Sequence, residues 1–496
     1  MGALFVFMGT GLLLFVAVLL RTILITSQQI QIEPAVDATF DSKVLSTHLL
    51  QAIRVQTVSH QEKGQYKGEE FTLLHEIFEM DFPLVHATLN KEVVWEYSLL
   101  YTWKGQDEKL KPILLLAHLD VVPAEIFSED GIEHPAFEGR IAEGYIWGKG
   151  TQDDKYAVLG ILEAVEKLIQ EGFTPRRTIY LAFGHDEEVG GQGGAFHIGA
   201  LLHARGVELD FVMDEGLPIV ENVLPNISKP VALVGVAEKK SLCVELTVSM
   251  AGGHSMMPLQ NTAIGILSAA IDKLEKDRFP PRIEMPVRQM LKTLAPEMPF
   301  GSRMLFANLW LFEGLVKKKL AASPRTDALI RTTTAPTILE AGAGNSILPT
   351  KARSVMNLRL LPGDNIKEVI KQVEWTIDDP RVKIQPLDGH MIENSFVSDT
   401  NSPEFKTIER TIRQVFPGIL VAPGLCLAIT DSRYYTPLTP NIFRFSPIRL
   451  QPDNLQRFIH GGDEKISIES YLQAVTFYMQ LIRNSDSMEE MNGAST

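Results

Sequence analysis

The sequence predicts an α/β fold: a mixed, mostly parallel sheet covered on both faces by helices, with a small α+β domain inserted into it. Three observations carry this. The apolar runs "ILLLA" (113–117), "TIYLAFG" (178–184) and "DFVM" (210–213) are continuous rather than alternating, as strands buried on both faces must be. Between the first two, Val158, Leu159, Ile161, Leu162, Val165 and Leu168 recur at helical spacing within 155–170, and strands that alternate with helices imply a parallel sheet. Near residue 240 the grammar changes, because "LCVELTVS" (242–249) alternates like a half-exposed strand.

In chain order, residues 1–27 come first. Ala3 to Leu20 carries no charge and is rich in Leu, Val, Phe and Gly, followed by Arg21. This length sits at the lower edge of a membrane span, so the segment is read as a secretory signal, cleaved or retained as an anchor. The main domain opens at 44, with helices expected at 44–57 and 68–80, and its first part runs to 240. The inserted domain spans 241–390. It has a strand at 242–249, a helix at 262–276, strands in "TTTAPTILEAG" and "ARSVMNLRLLPG", a helix at 365–377 and a strand at 382–386. That order is βαββαβ. An extra stretch, 284–330, contains "RMLFANLWLFEGLVKKKL", apolar and aromatic at helical spacing. It is expected to pack on its own domain, with a wall for an apolar ligand as the sharper alternative. The main domain resumes at 391–485, and 486–496 reads as a disordered tail.

The composition, 45% apolar and 22% charged, is that of a globular protein. A net charge of -14 argues against nucleic acid or anionic lipid as the main partner. The two cysteines, Cys243 and Cys426, lie in apolar runs without metal-ligand spacing, which excludes a disulfide scaffold. Asn226-Ile227-Ser228 is a glycosylation sequon if the chain is secreted.

The chemistry sits at strand ends. "ILLLA" leads to His118 and Asp120, "TIYLAFG" to His185-Asp186-Glu187-Glu188, and "DFVM" to Asp214-Glu215. Ligands of open α/β sheets bind beyond the carboxyl ends of the strands. One histidine and several carboxylates therefore converge, and their mutual repulsion calls for a divalent cation. "WGKGTQDDK" (147–155) delivers Asp153 and Asp154 to a helix start, where ordinary capping is the plainer reading. His460, in "RFIHGGDEKIS", can supply a second nitrogen ligand.

Seven ordered stretches, "HLDVVPA", "GKGTQDDK", "HDEEVGG", "MDEG", "AGGHSMMP", "TDSRYY" and "IHGGDEKIS", resemble the co-catalytic dizinc family of aminoacylases, carnosine dipeptidases and carboxypeptidases. The 284–330 stretch and the apolar N-terminus look most like its N-fatty-acyl-amino acid synthase/hydrolase branch, next to yeast-type carboxypeptidase S. The resemblance implies two zinc ions per chain. His118 would bind one and His460 the other, Asp153 would bridge them, and Glu188 and Asp214 would each complete one. Glu187 would be the general base and acid, and Asp120 would orient His118. His254, from the inserted domain, would stabilise the oxyanion, and Arg433 would grip the substrate's carboxylate as a planar fork. A homodimer through the inserted domain and lipoprotein or membrane association are further implications.

The implied activity is hydrolysis of N-fatty-acyl amino acids to fatty acid and amino acid, and the reverse condensation. A carboxypeptidase or dipeptidase on the same machinery is the alternative, separated by whether the acyl side meets an apolar groove or an acid. A binding protein that kept only the fold would lack a ligand or the base, and none is missing.

Overall fold

The computed structural model describes residues 2–35, 39–60, 67–123, 136–221, 227–257, 260–387, 396–450 and 464–488. Apolar stripes set its helices and continuous apolar runs its central strands.

The chain begins with helix α1 (Gly2–Leu24), then α2 (Ser42–Arg54), α3 (Gly68–Asp81) and α4 (Pro83–Thr88). Asp41 starts α2 by accepting the amides of Lys43 and Val44, a standard helix cap. An eight-stranded sheet follows, built from β1 (Asn90–Val94), β2 (Ser98–Trp103) and β3 (Ile113–His118), with β4 (Arg140–Ala142) and β5 (Tyr145–Trp147) forming a small side sheet. Helix α5 (Lys155–Gln170), strand β6 (Ile179–Gly184), helix α6 (Ala195–Ala204), and strands β7 (Val212–Val220) and β8 (Val231–Glu238) complete the first part. Every residue of β3 is buried, as a central strand with helices on both faces requires.

The inserted unit contains β9 (Lys240–Ser249), β10 (Gly253–His254), α7 (Ala263–Lys276), helices α8 (Met285–Leu294), α9 (Phe300–Ala307), α10 (Leu309–Leu320) and α11 (Pro324–Ile330), then β11 (Thr333–Ala341), β12 (Ile347–Leu348), β13 (Lys351–Leu360), α12 (Ile366–Ile377) and β14 (Val382–Pro386). Its sheet is antiparallel, in the order β11-β13-β9-β14. Helices α7 and α12 cover it through their own core, including Leu246, Leu267, Met356 and Val373. The βαββαβ order expected from the sequence is present.

The chain then returns to the large sheet with α13 (Pro403–Val415), β15 (Leu420–Cys426) and β16 (Ile442–Leu450), adds β17 (Lys465–Ser467) to the side sheet, and ends in α14 (Ile468–Asp486). The large sheet runs β1-β2-β6-β3-β7-β16-β8-β15. The β3–β6, β3–β7, β7–β16 and β8–β15 pairs are parallel; β1–β2 and β2–β6 are antiparallel.

Two expectations need correction. Strand 210–213 does not stop before Asp214: β7 runs on to Val220. Its register against β16 slips between Arg444↔Asp214 and Phe445↔Leu217, leaving Glu215 and Gly216 as a bulge that re-aims the backbone. The second concerns 284–330. Its apolar side does not pack mainly on the inserted sheet but joins Val231, Leu420, Ala422 and Leu425 at the β8–β15 edge of the large sheet.

Candidate metal centre

His118 ends β3 almost wholly buried. Its Nδ1 donates to the backbone oxygen of Asp120 at 2.9 Å and lies 3.3 Å from Asp120 Oδ1. That fixes the ring and turns Nε2 toward Asp153 Oδ1, 2.9 Å away, and Glu215 Oε1, 3.7 Å away. Such a backing hydrogen bond sets which nitrogen is free for a ligand.

Asp120 does a second job. Its Oδ1 accepts the amide of Glu187 and its Oδ2 the amide of Glu188, each at 3.1 Å. The two glutamates lie on a short 3₁₀ turn, Glu187–Val189. It closes through Gly190 and Gly191, at φ +111° and +64°, a region glycine enters without strain. A Cβ on Gly191 would stand 2.0 Å from Asp431 Oδ1. These glycines thus serve both the turn and the close approach of Asp431.

Asp153 arrives on the "GKGTQDD" turn. Glu464 organises this turn, its Oε1 accepting the amides of Gly150, Gln152 and Asp153 at 3.0, 2.7 and 3.3 Å. Lys149 lies 3.7 Å from Glu464 Oε2. Asp154 is the first-turn flank of α5, yet its side chain makes no capping hydrogen bond, so capping does not explain this pair of acids.

One ligand atom each from His118, Asp153 and Glu188 lie within 4.8 Å of one another, and the same holds for His118, Glu187 and Glu215. Burial, then neighbouring carboxylates, raises Glu188 to about 9. Glu187 and Glu215 are pushed well above the carboxylate range, by burial first, although His118 pulls each down. His118 itself is raised well above 6.5: burial opposes its charge, but Asp120 and Asp153 outweigh that. Oxygen and imidazole donors crowded in this way, with too little positive charge around them, fit a divalent cation.

The other expected residues fall as follows. Asp214 is buried, but its oxygens accept the amides of Ser432 and Glu215 at 2.8 and 2.9 Å. The bulge carries Glu215, not Asp214, toward His118. Arg433 Nη1 and Nη2 donate to Thr430 O and Gly190 O at 2.8 and 2.6 Å, so its fork bears on backbone. His254 is exposed on β10, and its Nδ1 accepts the amide of Met256. His460 and Asn226 lie outside the described residues.

Sequence reasoning did not single out Arg359 or Glu464, and it placed Glu215 at a strand end without giving it a role. Arg359, half-buried on β13 of the inserted sheet, lies within electrostatic reach of Arg433, Glu187 and Glu238. Its signal was a cation between two leucines at the end of a strand, in "NLRLLPG". Glu464 stood in the quoted "IHGGDEKIS", and only the fold brings it to the Asp153 turn.

Comparison with known proteins bears on this centre. Residues 114–484 match Peptidase family M20/M25/M40. The chain is 43% identical to the probable carboxypeptidase S-like 2 of Dictyostelium discoideum over 96% of this chain and 92% of that one. It is 42% identical to the N-fatty-acyl-amino acid synthase/hydrolase of Xenopus tropicalis over 90% and 86%. The crystal structure of human carnosine dipeptidase 1 shares the fold, with TM-score 0.65 and 14% identity over 90% of this chain and 96% of that one. With a family match across most of its length and a metal-type donor cluster at the strand ends, the chain belongs to peptidase family M20/M25/M40 and is a metal-dependent amidohydrolase.

Proposed function

We propose that this enzyme hydrolyses N-fatty-acyl amino acids to fatty acid and amino acid, and condenses them when product concentrations favour it. The observation that carries the chemistry is Glu187. It is a half-buried carboxyl with a raised affinity for protons, held by Asp120 beside the His118–Asp153–Glu188 cluster. The substrate class rests on the similarity to the Xenopus synthase/hydrolase.

The residues that would hold metal are His118, Asp153, Glu188 and His460, with Asp214 or its neighbour Glu215 completing the set. We take the pair of ions to be zinc, which accepts this mixture of nitrogen and oxygen donors. When bound, the ions supply Lewis acidity toward the amide carbonyl and lower the pKa of water. Glu187 takes the water's proton and delivers it to the leaving amine nitrogen. Asp120 keeps His118 and the Glu187–Glu188 turn in register. Arg433 steadies that turn through Gly190 O, which leaves Arg359 as the freer guanidinium for the substrate's carboxylate.

His254, on the inserted lid domain, 241–390, would join the oxyanion side of a second subunit's site. Exposed Met256, Met257, Leu339 and Ile347 on the β10–β12 and β11 surfaces favour a homodimer contact there. The apolar N-terminus would direct the chain into the secretory pathway, where Asn226 becomes a glycan acceptor.

The similarity to the Dictyostelium protein supports a second reading, a carboxypeptidase on the same machinery. Turnover of N-oleoyl-phenylalanine against glycyl-leucine separates the two. The lipid amide should be cleaved faster, and chelator should abolish cleavage. Faster cleavage of the dipeptide would replace the first reading with the second.

A further inference from the structure

Helix α1 is not a loose leader in this fold. Near its C-terminal end Val18 and Thr22 are buried against the α9–α10 junction. There Asn308, itself fully buried, donates from Nδ2 to Thr22 Oγ1 at 3.1 Å and to Met304 O at 2.9 Å. A buried polar pair fixes register, because separating the two elements leaves both groups unsatisfied.

The chain that follows is strapped to the β15 edge. Gln29 donates from Nε2 to Val421 O at 3.0 Å, and its Oε1 accepts Val421 N at 2.9 Å. Its side chain thus copies one rung of a strand ladder. Arg413 also donates to Gln29 Oε1, and Ala35 N donates to Gln414 O at 3.0 Å. These contacts are spread over residues 18–35 and join the helix to the body at several points.

Beyond that lock α1 is apolar on every side: Phe7, Leu12, Leu13, Leu14 and Phe15 point in different directions around it, and all are exposed. Phe7–Leu24 is long enough to cross a bilayer. A second protein copy would cover one side of such a helix, whereas lipid covers all sides. What surrounds α1 must also abut the helices that hold its end. On α10 the outward residues are Trp310, Leu311 and Leu315, followed by exposed Lys318 and Lys319. Phe300 of α9, the helix that packs on α10, is also exposed. An aromatic and aliphatic face ending in lysines is the composition of an element lying in a membrane interface.

We propose that α1 is retained as an anchor and that the outward face of α9 and α10 rests in the same lipid bilayer, holding the body against the membrane by two elements in fixed register. The occupant is phospholipid acyl chain and headgroup region, and the attraction is apolar rather than charge-driven. This goes beyond the amidase reading and does not depend on it.

The test uses the full chain, purified from membranes and reconstituted in phosphatidylcholine vesicles. An environment-sensitive fluorophore is placed by Leu311→Cys or, as control, by Val93→Cys. Cys243 and Cys426 are buried and remain unlabelled in the folded chain. Val93 is exposed on β1 at the opposite edge of the eight-stranded sheet, roughly 30 Å from β15 at the spacing of neighbouring strands. Nitroxide on the lipid near the headgroup should quench the 311 label severalfold and leave the 93 label unchanged. Intact mass of the vesicle-bound chain should include α1. Equal quenching at 311 and 93, a bound chain lacking α1, or self-quenching at 311 that grows with protein-to-lipid ratio (a second copy on the face) would each overturn the proposal.

Discussion

Asp120 Oδ2 accepts the amide of Glu188 at 3.1 Å while Oδ1 accepts that of Glu187 and faces His118 Nδ1. One buried carboxylate therefore sets both the imidazole and the turn that carries the two glutamates. Asp120→Asn offers one acceptor oxygen where two amides and a ring N–H converge, and its NH2 faces a donor. Activity should fall about 10–100-fold with weaker metal binding, as for other residues that back a metal ligand. Titration of the apo-protein with metal, followed by isothermal calorimetry, checks this. Unchanged affinity would assign Asp120 to the turn alone.

Arg359 and Arg433 should separate by kinetics. Arg359→Ala should raise KM for an N-acyl amino acid about tenfold or more, since a charged hydrogen bond to the substrate is lost. It should leave cleavage of the matching N-acyl amide, which lacks the carboxylate, nearly unchanged. Arg433→Ala should lower kcat on both substrates, because the Gly190 anchor goes with it. The reverse pattern would restore the fork to Arg433.

His254 is exposed and stands on a lid surface with exposed Met256 and Met257. If a second subunit supplies it, mixing unfolded-and-refolded His254→Ala with Glu187→Gln should recover roughly a quarter of wild-type activity, the statistical share of intact sites in a mixed dimer. The account predicts this recovery. No recovery, with dimers present by light scattering, would mean that each lid serves its own site.

Far from the centre, His48 Nδ1 and Glu163 Oε1 are 2.7 Å apart. Burial opposes the charged imidazole, but the Glu163 hydrogen bond and charge outweigh it and hold His48 above 6.5. A histidine raised on folding binds its proton more tightly in the folded state, so its contribution is full below about 6.5 and is lost as pH rises through the folded value. The His48–Glu163 coupling should be about 1 kcal/mol at pH 6 and near zero at pH 9. A double-mutant cycle in urea at both pH values measures it.

The sequence made the strands, the main helices and the βαββαβ insertion legible, because continuous and periodic apolar patterns state directly which faces are buried. His118, Asp120 and the Glu187–Glu188 pair could be read together because each follows a strand that ends at one edge of the sheet. What stayed hidden depends on long-range register. The slip opposite Arg444 and Phe445 that turns Glu215 toward His118 leaves no mark in "MDEG". Glu464 reaches the Asp153 turn across some three hundred positions of chain. The 284–330 helices were assigned by sequence proximity to the inserted domain, whereas their apolar side fits the β15 edge.

The most direct test concerns Glu187 and Asp153 together. Metal content by mass spectrometry and turnover of N-oleoyl-phenylalanine are measured on Glu187→Gln and Asp153→Asn. Glu187→Gln should keep its metal and lose activity by at least about 100-fold, the usual contribution of a positioned base. Asp153→Asn should lose metal as well as activity. A Glu187→Gln enzyme that retains most of its turnover, or an Asp153→Asn enzyme that keeps a full metal complement, would contradict the site described here.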